Sequence, residues 1–155
     1  MKSLVRLTFA VAMLANVLIL APNAKADTAS EVIATYNNFA AAQNARDLAR
    51  VKDLLLDSPS FLWVSDGKSI WGRDALIARM SKFQTLEVWH VEPLLDKARV
   101  VEINGTAAYL HMPLDLFLGA ANSPSRTRFL VSVLCAKTDT GWRIAALFTT
   151  LDNPD

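Results

Sequence analysis

One stretch in the second half of the chain places side chains of catalytic type at alternating positions. Residues two apart in a β-strand share a face, so Tyr109, His111 and Asp115 would lie on one face of a strand predicted for 106–118. Histidine has an ordinary pKa near neutrality, which suits proton transfer. We therefore predict that His111 is the general base of any reaction that this chain catalyses.

Arg126 and Arg128 begin the next predicted strand, which spans 126–137. If the two strands form a hairpin, Arg128 lies opposite the end that contains Asp115, so we expect an ion pair between them. The pair could be the polar end of an otherwise apolar pocket, or a structural pair on a sheet face or a dimer contact. Pro113 leaves the choice open, because a bulge there would change the parity of the strand.

Aromatic residues offer the apolar part of such a pocket. Tyr36 lies on the first predicted helix and Trp63 on the strand that follows the helices. Aromatic side chains are more often part of a core than of a binding site, but they also supply large apolar surfaces to ligands. The predicted ligand-binding residues are Tyr36, Trp63, Tyr109, Asp115 and Arg128.

The last predicted strand, 142–151, carries apolar residues on both faces. An antiparallel strand with two apolar faces is buried twice. The second burial comes most simply from another copy of the chain, so we predict a homodimer formed through the late strands. Leu147 is the outward candidate if Trp142, Ile144 and Phe148 face the core.

Other classes of site lack their motifs. The chain contains no His-Glu-x-x-His, no Gly-x-Ser-x-Gly and no glycine loop that could cradle a phosphate. Two histidines and one cysteine are too few for a zinc site, so we expect no metal and no cofactor. Basic residues do not cluster, which argues against a nucleic-acid partner.

The N-terminal segment is typical of an export signal. Two basic residues precede an uncharged run at 7–21, and the small-residue pattern AKA follows at 24–26. A run this long falls short of the ~20 residues that span a membrane, although an anchor is the alternative. We predict a signal peptide at 1–26, cleavage before Asp27, a periplasmic or secreted protein, and no stable membrane insertion after cleavage.

Composition bounds the remainder of the chain. Loss of 1–26 removes three basic residues and no acid, so the formal net charge changes from +1 to −2. Residues 27–155 suffice for a single domain with a sizeable core. Apolar residues spaced three and four apart predict a helix at 30–43, and Asp47 can cap a shorter second helix.

The stretch 61–80 predicts a strand, a turn at Asp66-Gly67 and a third helix that begins near Asp74. After this stretch the apolar period changes to two. Asn104-Gly105 between apolar runs predicts a hairpin with a type I′ turn. The later strands are predicted at 87–93, 99–104, 106–118, 126–137 and 142–151.

Helices followed by an antiparallel sheet make an α+β domain whose helices cover one sheet face. The segments NARDL at 44–48, GRDAL at 72–76 and GWRI at 141–144, with Thr149-Thr150 after them, occur in an order and spacing that resemble the SnoaL-like and DUF4440 branch of the NTF2-like superfamily. The resemblance implies a cone in which two to three N-terminal helices pack on a curved antiparallel sheet and enclose a pocket. It also implies a homodimer formed through the sheet, as is frequent in the superfamily.

The resemblance does not carry a complete catalytic set. Steroid-isomerase-like members have a tyrosine on the first helix, an aspartate that acts as general base on the strand after the second helix, and a protonated aspartate on a late strand. The corresponding positions here are approximately Phe39, Ser65 and Ser132. We therefore do not expect steroid isomerisation.

These observations predict an exported NTF2-like domain that binds a small, largely apolar molecule. One alternative is a lyase or isomerase that acts on a cyclic or polyketide-like substrate with His111 as base. Another is a dimeric interaction module with a filled pocket and no ligand. The sequence leaves these three open.

Overall fold

The computed structural model describes residues 27–153. The predicted signal peptide at 1–26 lies outside the described residues, and it stays a prediction. Within 27–153, none of the helices combines the length and the apolar character that crossing a membrane requires.

Three α-helices form where the apolar spacing predicts them. Helix α1 spans Thr28–Asn44, α2 spans Leu48–Leu54 and α3 spans Arg73–Met80. The Asp27 carboxylate accepts a hydrogen bond from the Ser30 amide (2.7 Å), and the Asp47 carboxylate accepts one from the Arg50 amide (2.8 Å). Both caps satisfy backbone donors that a helix leaves unpaired at its start.

Seven strands form one sheet in the order β2-β1-β7-β6-β5-β3, and β4 also pairs with β5. Every neighbouring pair is antiparallel except β1 and β7, which run parallel. The predicted α+β class is confirmed, with three helices packed on a curved, mixed sheet. The strands are β1 Leu62–Ser65, β2 Lys68–Trp71, β3 Val88–Pro93, β4 Arg99–Asn104, β5 Ala107–Ala120, β6 Ser123–Thr138 and β7 Gly141–Leu151.

The sheet has an inner face, which the helices cover, and an outer face, which they do not. Leu110, Met112 and Leu114 of β5 are buried on the inner face. Tyr109 and His111 alternate with them and lie on the outer face. This alternation fixes which side chains of β5 can contact the helices.

Pro113 produces no bulge, because β5 and β6 pair in continuous register from Ala107 to Ala120. Pro113 lies where the other neighbour of β5 changes from β4 to β3. Its carbonyl accepts from the Leu94 amide (3.1 Å). The N–H and C=O of a strand residue point to the same side of the strand. The N–H that proline lacks would therefore point between the end of β4 and the start of the β3 pairing, where no strand needs it.

A bulge does occur in β7. Leu134 pairs with Ala146 but Cys135 pairs with Ile144, so Ala145 is an extra residue on β7. The bulge reverses the parity, and as a result Leu147 is buried on the inner face while Phe148 is 40% exposed on the outer face. The prediction that Leu147 points outward is wrong for this reason.

The hairpin between β4 and β5 forms, but its turn is not type I′. Asn104 pairs with Ala107, so the central residues of the turn are Gly105 and Thr106; a type I′ turn needs positive φ at both, and neither has it. Instead, the Asn104 side-chain oxygen accepts from the Thr106 amide (2.9 Å) and hydroxyl (3.0 Å). This is the local side-chain turn that asparagine favours.

The corner between α1 and α2, residues 44–47, ties the helices to the chain that enters β3. Arg46 has φ 59 there, and the Gln84 amide group donates to its carbonyl (3.0 Å). Asn44 donates to the Val91 carbonyl (2.8 Å) and accepts from the Val91 amide (2.7 Å). The Arg46 guanidinium donates to the carbonyls of Gln84 (2.7 Å), Leu86 (2.6 Å) and Glu87 (3.0 Å).

Candidate functional site

A cavity of about 90 Å³ lies between the inner face of the sheet and the helices, and it is partly open to solvent. Helix α1 covers one side, and the end of α3 with the following turn covers another. The lining consists of Tyr36, Phe39, Gln43, Trp63, Ser65, Met80, Phe83, Trp89, Val91, Leu114, Leu116, Phe129, Val131, Leu147 and Thr149.

None of these lining side chains is charged at neutral pH, and six of them carry polar nitrogen or oxygen atoms: Tyr36, Gln43, Ser65, Thr149 and the two indoles, Trp63 and Trp89. Thr149 donates to the Val64 carbonyl (3.0 Å). The Gln43 amide nitrogen lies 3.4 Å from the Phe39 carbonyl, which is a long hydrogen bond. Burial raises the pKa of Tyr36 far above the ordinary value of a phenol, so this hydroxyl stays protonated at neutral pH. The cavity is therefore apolar with a few neutral polar groups.

Of the residues predicted to bind a ligand, the structure places Tyr36 and Trp63 in this lining. Tyr109, His111, Asp115 and Arg128 do not line the cavity, since the alternation along β5 and β6 sets them on the outer face. The geometry therefore favours the structural alternative for the Asp115-Arg128 pair over the hypothesis that His111, Asp115 and Arg128 form the polar end of the pocket. The unbroken register at Pro113 is the reason, because the apolar row of β5 takes the inner face.

The predicted ion pair is present on the outer face. Asp115, only 4% exposed, accepts from Arg128 Nε and Nη2 (both 2.8 Å) and from Arg126 Nη2 (2.6 Å). His111 Nδ1 lies 2.9 Å from the Ser132 hydroxyl, its neighbour across β6. A carboxylate that accepts three charge-assisted hydrogen bonds from two guanidinium groups suits a structural role.

We expect the Asp115 cluster to make stability depend on pH. Hydrogen bonds from Arg128, and next from Arg126, hold the pKa of Asp115 well below its usual range. A depressed folded-state pKa means that the stabilisation is fully present above the unfolded pKa of ~3.9 and is lost as the pH falls below it. Asp115→Asn should lower the unfolding free energy at pH 7 by about 1–2 kcal/mol and should flatten the loss of stability between about pH 5 and pH 2.

Urea unfolding midpoints measured across this pH range check the expectation. Asp139→Asn, an exposed aspartate on the β6–β7 turn, is the matched control and should preserve the wild-type slope. An Asp115→Asn variant with the same acid slope as wild type would contradict the assignment.

Sequence reasoning missed Gln43 as a cavity residue. It lies seven positions after Tyr36 and four after Phe39, on the same side of α1. A polar residue that continues an aromatic stripe on a buried helix face was the available signal. Within residues 27–153, no group of three His, Cys, Asp or Glu side chains is arranged to hold a metal ion.

Comparison with known proteins places the chain by family and by fold. The family model described as SnoaL-like domain matches residues 32–147. No curated protein matches the chain by sequence.

Several solved structures are similar to this one. An NTF2-like superfamily protein from Salmonella enterica serovar Typhimurium has a TM-score of 0.72 at 16% identity, over 81% of this chain and 92% of that one. A candidate dehydratase of the NTF2-like family from Streptomyces avermitilis has a TM-score of 0.70 at 14% identity, over 80% and 95%. A protein from Xanthomonas campestris described as a candidate calcium/calmodulin dependent protein kinase II association domain has a TM-score of 0.69 at 17% identity, over 87% and 94%. At these identities the likeness establishes the fold alone.

Proposed function

Since this chain belongs to the family of SnoaL-like domains, with an NTF2-like fold, we propose that it binds a small, largely apolar molecule in the cavity beneath α1. The observation that carries the proposal is a cavity of about 90 Å³ with an uncharged and mostly apolar lining. Protein interiors are packed closely and leave few voids larger than a water molecule. A cavity of this volume that is open to solvent favours the binding of a small molecule.

The cavity also weighs against the alternative of an interaction module with a filled pocket. That alternative needs aromatic side chains to pack the space between helices and sheet solidly. Trp63, Phe83 and Trp89 instead line the cavity and leave its interior unfilled. Three aromatic walls provide a large apolar surface for a ligand.

Catalysis by proton transfer has less support than binding. A lyase or isomerase needs a base within hydrogen-bond reach of the substrate, and the lining holds no carboxylate and no imidazole. His111 lies on the opposite face of the sheet. The similarity to a candidate dehydratase does not supply the missing base.

A direct test uses toluene as an apolar probe and the protein as purified from its own host. We expect native mass spectrometry to reveal a retained small molecule, and NMR titration of the emptied protein to show saturable toluene binding. Val131→Phe fills the cavity from its floor and should weaken toluene binding at least about tenfold, while Val101→Phe makes the same change on the outer face and should not. Absence of saturable binding in the wild type would refute the proposal.

We also propose that the chain is exported and cleaved before Asp27. The support is the sequence pattern at 1–26 together with the role of Asp27 as the cap of α1, since cleavage there would keep the cap. N-terminal sequencing of the periplasmic or secreted fraction tests the proposal. Recovery of the full-length chain from membranes would contradict it.

A homodimer through the outer face is the third part of the proposal. Tyr109 of β5, Leu134 of β6 and Phe148 of β7 are large apolar side chains that remain 37–42% exposed there. Tyr109 pairs directly with Leu134, and Phe148 follows on the next strand opposite Ser132. A contiguous apolar patch favours an interface, and the name of the Xanthomonas campestris protein, an association domain, fits assembly through this fold.

A further inference from the structure

We propose that the cavity selects an uncharged ligand with a hydroxyl or carbonyl group, and that Tyr36, Gln43 and Ser65 recognise that group. The inference rests on the proposed ligand-binding function and adds to it the chemistry of the ligand. It turns an apolar pocket into one with a defined polar requirement.

The first step is the hydrogen bonding of the three side chains. Tyr36, Gln43 and Ser65 are each more than nine-tenths buried, and all three line the cavity. Among the residues that the structure describes, the Tyr36 and Ser65 hydroxyls have no hydrogen-bond partner, and Gln43 has only the long contact with Phe39. None of their polar atoms is among the fully buried side-chain atoms that lack a partner, so these groups are accessible from the cavity and available to a molecule that enters it.

The second step is the position of these groups. Tyr36 and Gln43 are two turns apart on the same side of α1. Ser65 ends β1 and pairs with Thr149 of β7, which carries the third hydroxyl of the lining. The polar atoms thus enter the cavity from the helix and from the sheet, while Leu114 and Val131 leave the floor apolar. A ligand between helix and sheet can therefore form hydrogen bonds both with Tyr36 and Gln43 on α1 and with Ser65 on β1.

The third step is the charge of the ligand. A carboxylate, phosphate or ammonium group would lose its hydration without an opposite charge in the lining. Tyr36 and Ser65 can donate to a carbonyl or hydroxyl oxygen, and the Gln43 amide oxygen can accept from a hydroxyl. A neutral hydroxyl or carbonyl compound is the class that fits.

Size limits the ligand as well. The cavity of about 90 Å³ is smaller than the engineered apolar cavity of ~150 Å³ that holds benzene. Because this cavity is partly open to solvent, a single ring can enter it with part of its surface at the open side, and so can one end of a longer molecule.

Toluene, phenol and benzoate separate these requirements, because they share one ring and differ in one substituent. A purely apolar cavity prefers toluene, since phenol is better hydrated in water. We expect phenol to bind about fivefold more tightly than toluene at pH 7, as one net hydrogen bond would give, and benzoate to bind at least about tenfold more weakly than phenol. Dissociation constants from NMR titration or calorimetry check the order.

Variants assign the preference to the named groups. Tyr36→Phe, Ser65→Ala and Gln43→Met each should lower the ratio of phenol to toluene affinity about threefold or more, with toluene affinity almost unchanged. Ser132→Ala, a serine on the outer face, is the matched control and should preserve the ratio. Tyr36→Phe removes a single oxygen, so it keeps the test valid if Gln43→Met does not fold.

The outcomes distinguish the two levels of the proposal. Toluene binding with a phenol-to-toluene ratio at or below one, or a ratio that the three variants do not change, would overturn polar recognition and leave apolar binding intact. Tightest binding of benzoate would overturn neutrality. Failure of both neutral probes to bind would overturn this inference together with the proposed function.

Discussion

Lysine in place of Leu134 is expected to dissociate the proposed homodimer into monomers at micromolar concentration. Leu134 lies at the centre of the outer face, between Tyr109 on β5 and Ala146 on β7. A dimer through this face would bury the introduced ammonium group without a designed partner. We expect the dimer dissociation constant to rise at least about hundredfold. Sedimentation or multi-angle light scattering over a dilution series measures it.

The chain offers a matched control for this change. Leu151 is also an exposed leucine in the late strands, but it pairs with Phe129 and so belongs to the inner side of the sheet. Leu151→Lys should leave the dimer intact. A monomeric wild type would refute the homodimer, and a Leu134→Lys variant that still dimerises would show that the interface is not this face.

Alanine in place of Arg46 is expected to cause the largest loss of stability among the variants considered. It removes three charge-assisted hydrogen bonds to the carbonyls of the segment entering β3. Hydrogen bonds to charged groups contribute about 1.5–3 kcal/mol each and are not additive, so we expect a loss of about 3 kcal/mol in unfolding free energy. The corresponding fall in Tm is about 10 °C for a domain of this size. Thermal and urea unfolding measure both.

Two further variants separate the contacts of Arg46 from its backbone strain. Arg50→Ala, an exposed arginine on α2 whose side chain makes no hydrogen bond in the described structure, should change stability by under about 0.5 kcal/mol. Arg46→Gly should be less destabilising than Arg46→Ala by about 1 kcal/mol, since glycine tolerates the positive φ at this corner. Equal stability of the Arg46→Ala and Arg50→Ala variants would contradict the role of the guanidinium.

Local patterns were sufficient to predict most elements of the fold. Asp47 and the apolar spacing after it identify α2, and the change of period beyond Gln84 identifies the five later strands. Strand β2, Lys68–Trp71, was missed because four residues, of which only Ile70 is even partly buried, do not establish a period. The bulge at Ala145 has no sequence signal, since it arises from pairing with β6. The faces on which the β7 residues after Ala145 lie could therefore not be predicted.

The site was predictable only in part, for a different reason. Strand parity correctly groups Tyr109, His111 and Asp115 on one face but does not say which face the helices cover. The clue was present in the opposite row, because a fully apolar row such as Leu110, Met112 and Leu114 must be buried against the helices. The polar row then faces away from the pocket. Tyr36 was predicted correctly because an aromatic stripe on a helix marks the side that faces the core, and the cavity lies on that side.

The parallel pairing of β1 with β7 has a consequence for the order of folding. Leu62 pairs with Ala146 and Ser65 with Thr149. A strand from the first half of the chain can therefore complete its pairing only after the last strand has been synthesised. Contacts this distant in sequence form late, since they must overcome the entropy of closing a long loop. Trp63 and Ser65, which line the cavity, pair locally with β2 but acquire their β7 neighbours only when the C-terminal strand docks. A nascent chain that lacks β7 therefore lacks Leu147 and Thr149 of the cavity lining and the strand that holds β1 in place, so we expect a ligand to stabilise the finished domain rather than its early folding.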